Sequence, residues 1–236
     1  MEECCMEKNS PAQERIDKAA SGMTEKAYEY IVQKINALEL APNSKINAVK
    51  LAETLNISRT PVRNALEQLA DEGYVYRTSG GFKVAGIDPV DFMGLTEARQ
   101  MIESTAAYMA ADVITGAELA ELKNAIDEAE SAQRCGDMAG YAYWDGAFHE
   151  KIVQASRNHY IINMYKVLEP RIHRYQGALR NFRNNSIRED TKHAKEKHMA
   201  IYSALKSRYS SLARDEMEEH LRFTNQYLFD MRSDKK

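Results

Sequence analysis

Residues 49–85 read VKLAETLNISRTPVRNALEQLADEGYVYRTSGGFKVA, and the order of signals within them decides the fold of the front of the chain. Val49–Leu55 is expected as a short helix with Val49, Ala52 and Leu55 on one face. Asn56 follows, a residue that accepts the left-handed turn closing a helix. Ser58 suits the N-cap of a second helix, and Pro61 falls in its first turn, where a missing N–H costs little. That helix should bury Val62, Ala65, Leu66 and Leu69, and Gly73 should end it. Tyr74–Arg77 and Phe82–Ala85 read as two strands joined by Thr-Ser-Gly-Gly. Arg59 and Arg63 are four residues apart, so both project from the face opposite the apolar stripe. Two arginines on a helix are ordinarily solvated charges. A helix–turn–helix–hairpin order around them points instead to a nucleic acid, because guanidinium groups bond guanine edges or phosphates bidentately from the major groove. The hairpin then reads as a wing, with Gly80 and Gly81 letting the backbone approach the sugar-phosphate.

Upstream, Thr24–Leu38 is expected as a helix burying Ala27, Ile31 and Ile35, and residues 1–21 as a mobile tail with no sustained apolar period. Downstream, Asp88-Pro89 marks a junction. From Asp91 on there is little strand signal, and six helices are expected near 91–114, 117–134, 138–156, 159–183, 191–206 and 209–231. The breaks fall at Thr115-Gly116, Cys135-Gly136, Arg157-Asn158 and Asn184-Asn185. The fold class is therefore mainly α: a winged helix-turn-helix over 22–87 and an antiparallel bundle of about six helices over 88–236. With 236 residues, two domains are the natural division. No apolar run approaches a membrane span and the start lacks a signal-peptide core. Cys4, Cys5 and Cys135 have no metal-like spacing and read as reduced thiols in a cytoplasm. A net charge of −3 argues against indiscriminate polyanion binding, so DNA affinity must come from a local patch, doubled by dimerisation.

The helical half carries a second constellation. Asp145 and His149 are four apart on one helix and share a face. His198 and His220 lie on the last two helices, 22 residues apart, and the midpoint is Tyr209 in KSRYSS, a plausible turn. In an antiparallel hairpin each histidine then lies ~16 Å from the turn, and the two are level. One carboxylate and three imidazoles at one height suit a divalent transition metal, Zn²⁺, Ni²⁺, Fe²⁺ or Mn²⁺. A buried histidine is more often a hydrogen-bonded core residue than a ligand, and His159, His173 and His193 take that reading. Trp144, Phe148, Tyr108 and Met164 read as bundle packing.

LAETLNISRTPVRNALEQLADEG, from Leu51 to Gly73, resembles the winged-helix signature of the GntR family of bacterial transcription regulators. The resemblance implies that Arg59, Thr60 and Arg63 contact operator DNA, with Ser58 capping the helix toward a phosphate. Two positions depart from the family pattern. Pro42-Asn43 replaces the usual Pro-Gly, a mild swap because Asn also accepts φ > 0, and Asn64 stands where many members carry Glu, which bears on base preference. EARQMIE (97–103), WDGAFH (144–149), EKHMAIYSAL (196–205) and MEEHL (217–221) are similar to the FCD ligand-binding domain of the FadR subfamily. That likeness implies that Asp145, His149, His198 and His220 hold a divalent ion, and that Arg99 pairs with an effector carboxylate. On residues alone, Arg99 and Glu103 one turn apart make an intrahelical ion pair.

Together these imply a homodimeric, ligand-responsive transcription regulator whose heads meet half-sites of double-stranded operator DNA. A small organic acid near the metal would control operator affinity, and the resemblance implies repression relieved by the effector. Two alternatives stand beside it. One is a metal-dependent enzyme with an autoregulatory head, for which no general base stands out beyond Glu150 and Glu196. The other is a regulator whose metal is purely structural.

Overall fold

Asn47 opens the helix-turn-helix by accepting hydrogen bonds from the backbone N–H of Val49 and Lys50, so α2 (Ala48–Leu55) starts one residue earlier than its apolar spacing suggests. Leu51, Ala52 and Leu55 are its buried face, and Val49, expected inside, is 39% exposed. Asn56 closes α2 with φ 52°, in the left-handed region that its short polar side chain tolerates. α3 (Arg59–Asp71) buries Val62, Ala65, Leu66 and Leu69 completely. Gly73, at φ 83°, then turns the chain into the sheet.

In this computed structural model, the described residues are 11–182 and 187–233, with side chains described at 22–88, 90–176 and 194–222. The chain divides into two compact units, Met1–Ala85 and Gly86–Lys236.

In the first unit, α1 (Pro11–Asn36) lays Ala27, Ile31 and Ile35 against α3. It begins well before Thr24 and takes in residues 11–21, expected as tail. Proline is at home at the first helical position, and the alanines, glutamates and lysines after it are good helix formers. Residues 1–10, the rest of that expected tail, lie outside the described residues. β1 (Lys45–Ile46), β2 (Val75–Thr78) and β3 (Gly81–Val84) form an antiparallel sheet in the order β1-β3-β2. The short β1 has no sequence signal. The hairpin pairs Thr78 with Gly81, so its turn is the two residues Ser79-Gly80 rather than a four-residue loop. Gly81 has φ 117°, which a side chain would strain. Asn43, in place of the family's glycine, takes φ 64°.

Among the described residues of the second unit six helices follow one another: α4 (Pro89–Val113), α5 (Gly116–Arg134), α6 (Met138–Ala155), α7 (His159–Phe182), α8 (Ile187–Lys206) and α9 (Ser210–Ser233). Local chemistry sets their ends. Asp88 caps α4. Thr115 and Glu118 form a reciprocal capping box on α5. Gly136 (φ 74°), Arg157 (φ 58°) and Arg208 (φ 61°) supply the left-handed turns between helices. The expected break at Asn184-Asn185 lies outside the described residues. α4 packs against α6, α7, α8 and α9, and α5 lies on α6 and α8. Two apolar clusters result. Ile114, Leu122, Ile126, Phe148, Ile152, Ile201, Leu205 and Met217 anchor one; Phe92, Leu95, Ile102, Tyr165 and Tyr175 anchor the other. Phe148 packs as expected and Trp144 is partly buried against the first cluster. Tyr108 and Met164 do not pack inside; they are 42% and 56% exposed. Their positions on α4 and α7 lie off the faces those helices turn inward. No described helix is long and apolar enough to cross a membrane.

Candidate metal centre and nucleic-acid face

Polar side chains from four helices meet inside the second unit. α4 supplies Arg99 and Glu103, α6 supplies His149, α8 His198 and α9 His220, with exposures of 5, 0, 1, 3 and 8%. Five ionisable groups at this depth demand partners, because burying an unpaired charge or polar group is costly. The Ser207–Tyr209 turn separates α8 from α9 and brings His198 and His220 level, as their spacing requires.

The three imidazoles converge through Nε2. His149 Nε2 and His198 Nε2 each lie 3.2 Å from His220 Nε2. Their candidate ligand atoms all fall within 4.8 Å of one another. A neutral ring nitrogen is either a donor or an acceptor, never both. His220 Nε2 faces two other Nε2 atoms, and no tautomer set gives each contact its own linear hydrogen bond. A cation accepting all three lone pairs would resolve the conflict. Tetrahedral bonds of ~2.0–2.1 Å put ligand nitrogens ~3.3 Å apart, so the observed spacing fits such a group.

Burial is the main reason that the His198 pKa is lowered to about 4, with the neighbouring His149 adding to it and Asp145 opposing. A neutral imidazole is the form that binds a metal. Asp145 lies at the rim of the trio. Its Oδ1 is 3.6 Å from His198 Nε2, and its Oδ2 accepts a 2.9 Å hydrogen bond from Gln176 Nε2. The carboxylate thus lies beside His198 and is oriented by α7. It falls outside the group of three imidazoles whose ligand atoms all lie within 4.8 Å of one another, whereas the sequence expectation is one set of all four residues.

Behind His149, Glu103 Oε2 lies 2.7 Å from Nδ1. Both Glu103 oxygens also accept from Arg99, Oε1 from Nε at 2.6 Å and Oε2 from Nη2 at 3.3 Å. Burial alone would raise the Glu103 pKa, but Arg99 and His149 together lower it to about 2, so the carboxylate is ionised. Arg99 therefore makes the intrahelical pair that its spacing suggested. The spacing gives that pair, but nothing local in the sequence marks the contact from Glu103 to His149 or the one from Gln176 to Asp145. Of the other histidines, His173 packs its ring over Gly146, where a Cβ would come within 3.2 Å of His173 Nε2; His159, expected in the core, is exposed, and the side chain of His193 lies outside those described.

On the first unit, Ser58, Arg59, Thr60, Arg63 and Asn64 are exposed along the start of α3. Ser58 has the extended backbone of an N-cap, but its side chain makes no capping bond, contrary to the sequence expectation. Arg63 reaches Glu67 only loosely, at 3.8 Å, and stays 76% exposed. Gly80 and Gly81 lie exposed at the hairpin tip. Arg77, unremarked in the sequence, ties β2 to α3 through Glu67 at 2.6 Å and Asp71 at 2.8 Å, which fixes the hairpin against the helix.

Residues 23–84 match the family model described as bacterial regulatory proteins, gntR family, and residues 94–223 match the FCD domain. The chain belongs to the GntR family and carries a C-terminal FCD domain. Family relatives agree. The Nta operon transcriptional regulator of Aminobacter aminovorans is 31% identical over 134 residues, 56% of this chain and 62% of the relative, so under two thirds of that relative is spanned. The HTH-type transcriptional regulator LutR of Bacillus subtilis is 28% identical over 200 residues, 78% of this chain and 90% of LutR. The solved E. coli McbR/YncC structure shares the fold, with TM-score 0.75 at 22% identity over 89% of this chain and 98% of that one. This GntR-family chain is a bacterial transcription regulator, and its relatives set it apart from the metalloenzyme alternative.

Proposed function

We propose that this regulator binds operator DNA as a homodimer and that a small organic acid, held beside a divalent transition metal in the helical unit, controls its operator affinity. The convergence of three buried Nε2 atoms carries the metal half of this reading. His149, His198 and His220 would hold the ion, and Asp145, whose Oδ1 is 3.6 Å from His198 Nε2, would complete the set. A mixed imidazole–carboxylate set suits Zn²⁺, Ni²⁺, Fe²⁺ or Mn²⁺. An ion held there would supply Lewis-acid attraction for a carboxylate oxygen. Arg99 offers the donors that Glu103 leaves unused, so a guanidinium and a metal together fix a carboxylate.

At the other end, Arg59, Thr60 and Arg63 would read the major groove, and Ser58 with the first N–H groups of α3 would take a phosphate. Gly80 and Gly81 would bring the wing to the backbone. The homodimer would use apolar side chains left outside the bundle. Met101 (68% exposed) and Tyr108 share a face of α4, while Tyr160 (70%), Met164 and Val167 share a face of α7. Stripes of this kind mark association surfaces. An acid that prefers one arrangement of the helical unit then shifts the population of DNA-competent dimers, and repression relieved by the acid is the expected sign.

A structural metal without an effector is the second reading, and the burial of Arg99 against Glu103 favours it. Operator affinity measured with and without candidate acids, on metal-loaded and chelated protein, separates the two. Acid-dependent release that needs metal supports the sensor. Chelation that lowers the melting temperature with no acid response supports the structural ion.

A further inference from the structure

We infer that Glu103 is the positioning carboxylate of the metal site, holding the proton of His149 on Nδ1 so that the Nε2 lone pair is presented to the ion. The inference rests on the metal reading above and deepens it.

The alternative role for Glu103 is simple neutralisation of Arg99. An i,i+4 pair explains the 2.6 Å contact from Arg99 Nε to Oε1 without involving any other residue. It does not explain why Oε2 lies 2.7 Å from His149 Nδ1, on a different helix. Among the described residues no well-aligned hydrogen bond occupies Nδ1, but a bare ring lone pair facing the Oε2 lone pairs at 2.7 Å would be repelled, and this contact geometry places the proton on Nδ1. With Nδ1 protonated, Nε2 of the neutral ring is bare, and it is this atom that lies 3.2 Å from His220 Nε2 within the trio. Metal-binding histidines are commonly fixed in this way by an outer carboxylate, which sets ring orientation and raises ligand basicity. Glu103 is fully buried, so water does not compete for either contact. Arg99 donates to both oxygens of the same carboxylate, including the Oε2 that faces His149. The effector arginine and a metal ligand therefore share one anion. An acid drawing on Arg99 must alter the partner of His149, which gives the two sites a direct physical link.

The test measures Zn²⁺ and Ni²⁺ affinity of metal-stripped full-length protein by chelator competition, in wild type and Glu103→Gln, with metal-free melting temperatures recorded alongside. Nitrogen NMR of the metal-free wild type reports the His149 tautomer, its signal assigned against His149→Ala. The expected results are an Nδ1–H tautomer for His149 and a loss of ~10–100-fold in metal affinity for Glu103→Gln. An Nε2–H tautomer in the wild type overturns the inference even if the variant fails to fold. So does a folded Glu103→Gln protein that binds metal as tightly as wild type. Wild type that binds neither ion overturns the metal reading itself, a result separate from the Glu103 outcome.

Discussion

Arg63 is the residue where sequence, structure and expected function are most directly linked. It is exposed, loosely paired and placed on the outer face of α3, so its loss should leave the fold intact. Arg63→Ala should weaken operator binding by ~1–3 kcal/mol if the guanidinium reads a base edge, measured by fluorescence anisotropy on a selected operator. Unchanged affinity would remove it from the contact surface. Arg99 needs a gentler change. Truncating it to Ala strands the buried Glu103 charge, a loss of ~3–5 kcal/mol that would confuse response with stability. Arg99→Lys keeps a cation but not the planar fork, and should reduce acid response while DNA binding stays. A full response in the variant would place the carboxylate elsewhere. His198 also fixes a pH dependence for metal-free protein. Facing His149, His220, Asp145, Arg99 and Glu103, its folded pKa is about 4 against an ordinary 6.5, so the unfolded chain binds more protons between those values. Its contribution is complete above pH 6.5 and is lost as pH falls toward 4. Melting temperatures across that window should therefore fall with acid, and a flat profile would contradict the burial of a neutral ring.

Helix boundaries show why some features are legible from a sequence. Thr115 with Glu118, Gly136 and Asn56 act within a turn of their own position, and each falls where its chemistry requires. Thr115→Ala should cost about 1 kcal/mol, read as a lower melting temperature, because it removes the capping bond to Glu118 N. No change would mean that water replaces the cap. The level placement of His198 and His220 was readable for a similar reason, since two helices and one turn fix it. Contacts between distant elements were not readable. Glu103 meets His149 from another helix, and Gln176 meets Asp145 across α6 and α7. Val49, Tyr108 and Met164 fit an apolar pattern yet face outward, because periodicity reports that a helix has an apolar face without fixing which residues lie at its edge. The two-residue wing turn is a register set by pairing Thr78 with Gly81, and a run of Thr-Ser-Gly-Gly does not specify it.

For the molecule as a whole, the proposed homodimer is what would couple the DNA-binding unit to the candidate metal site of the helical unit. The apolar stripes of α4 and α7 give that proposal a specific test. Met164→Glu, with Val167→Glu as a companion, should shift the protein from dimer to monomer in light scattering and weaken operator binding together with it. A dimer that survives both changes would move the interface to another surface. The claim on which the regulatory account turns is that metal and acid act at one site. The most direct measurement is a thermal-shift panel of small carboxylic acids on the protein, metal-loaded and chelated. The account predicts an acid that stabilises the metal-loaded protein and does nothing once the ion is removed. Equal stabilisation of the chelated protein would contradict it.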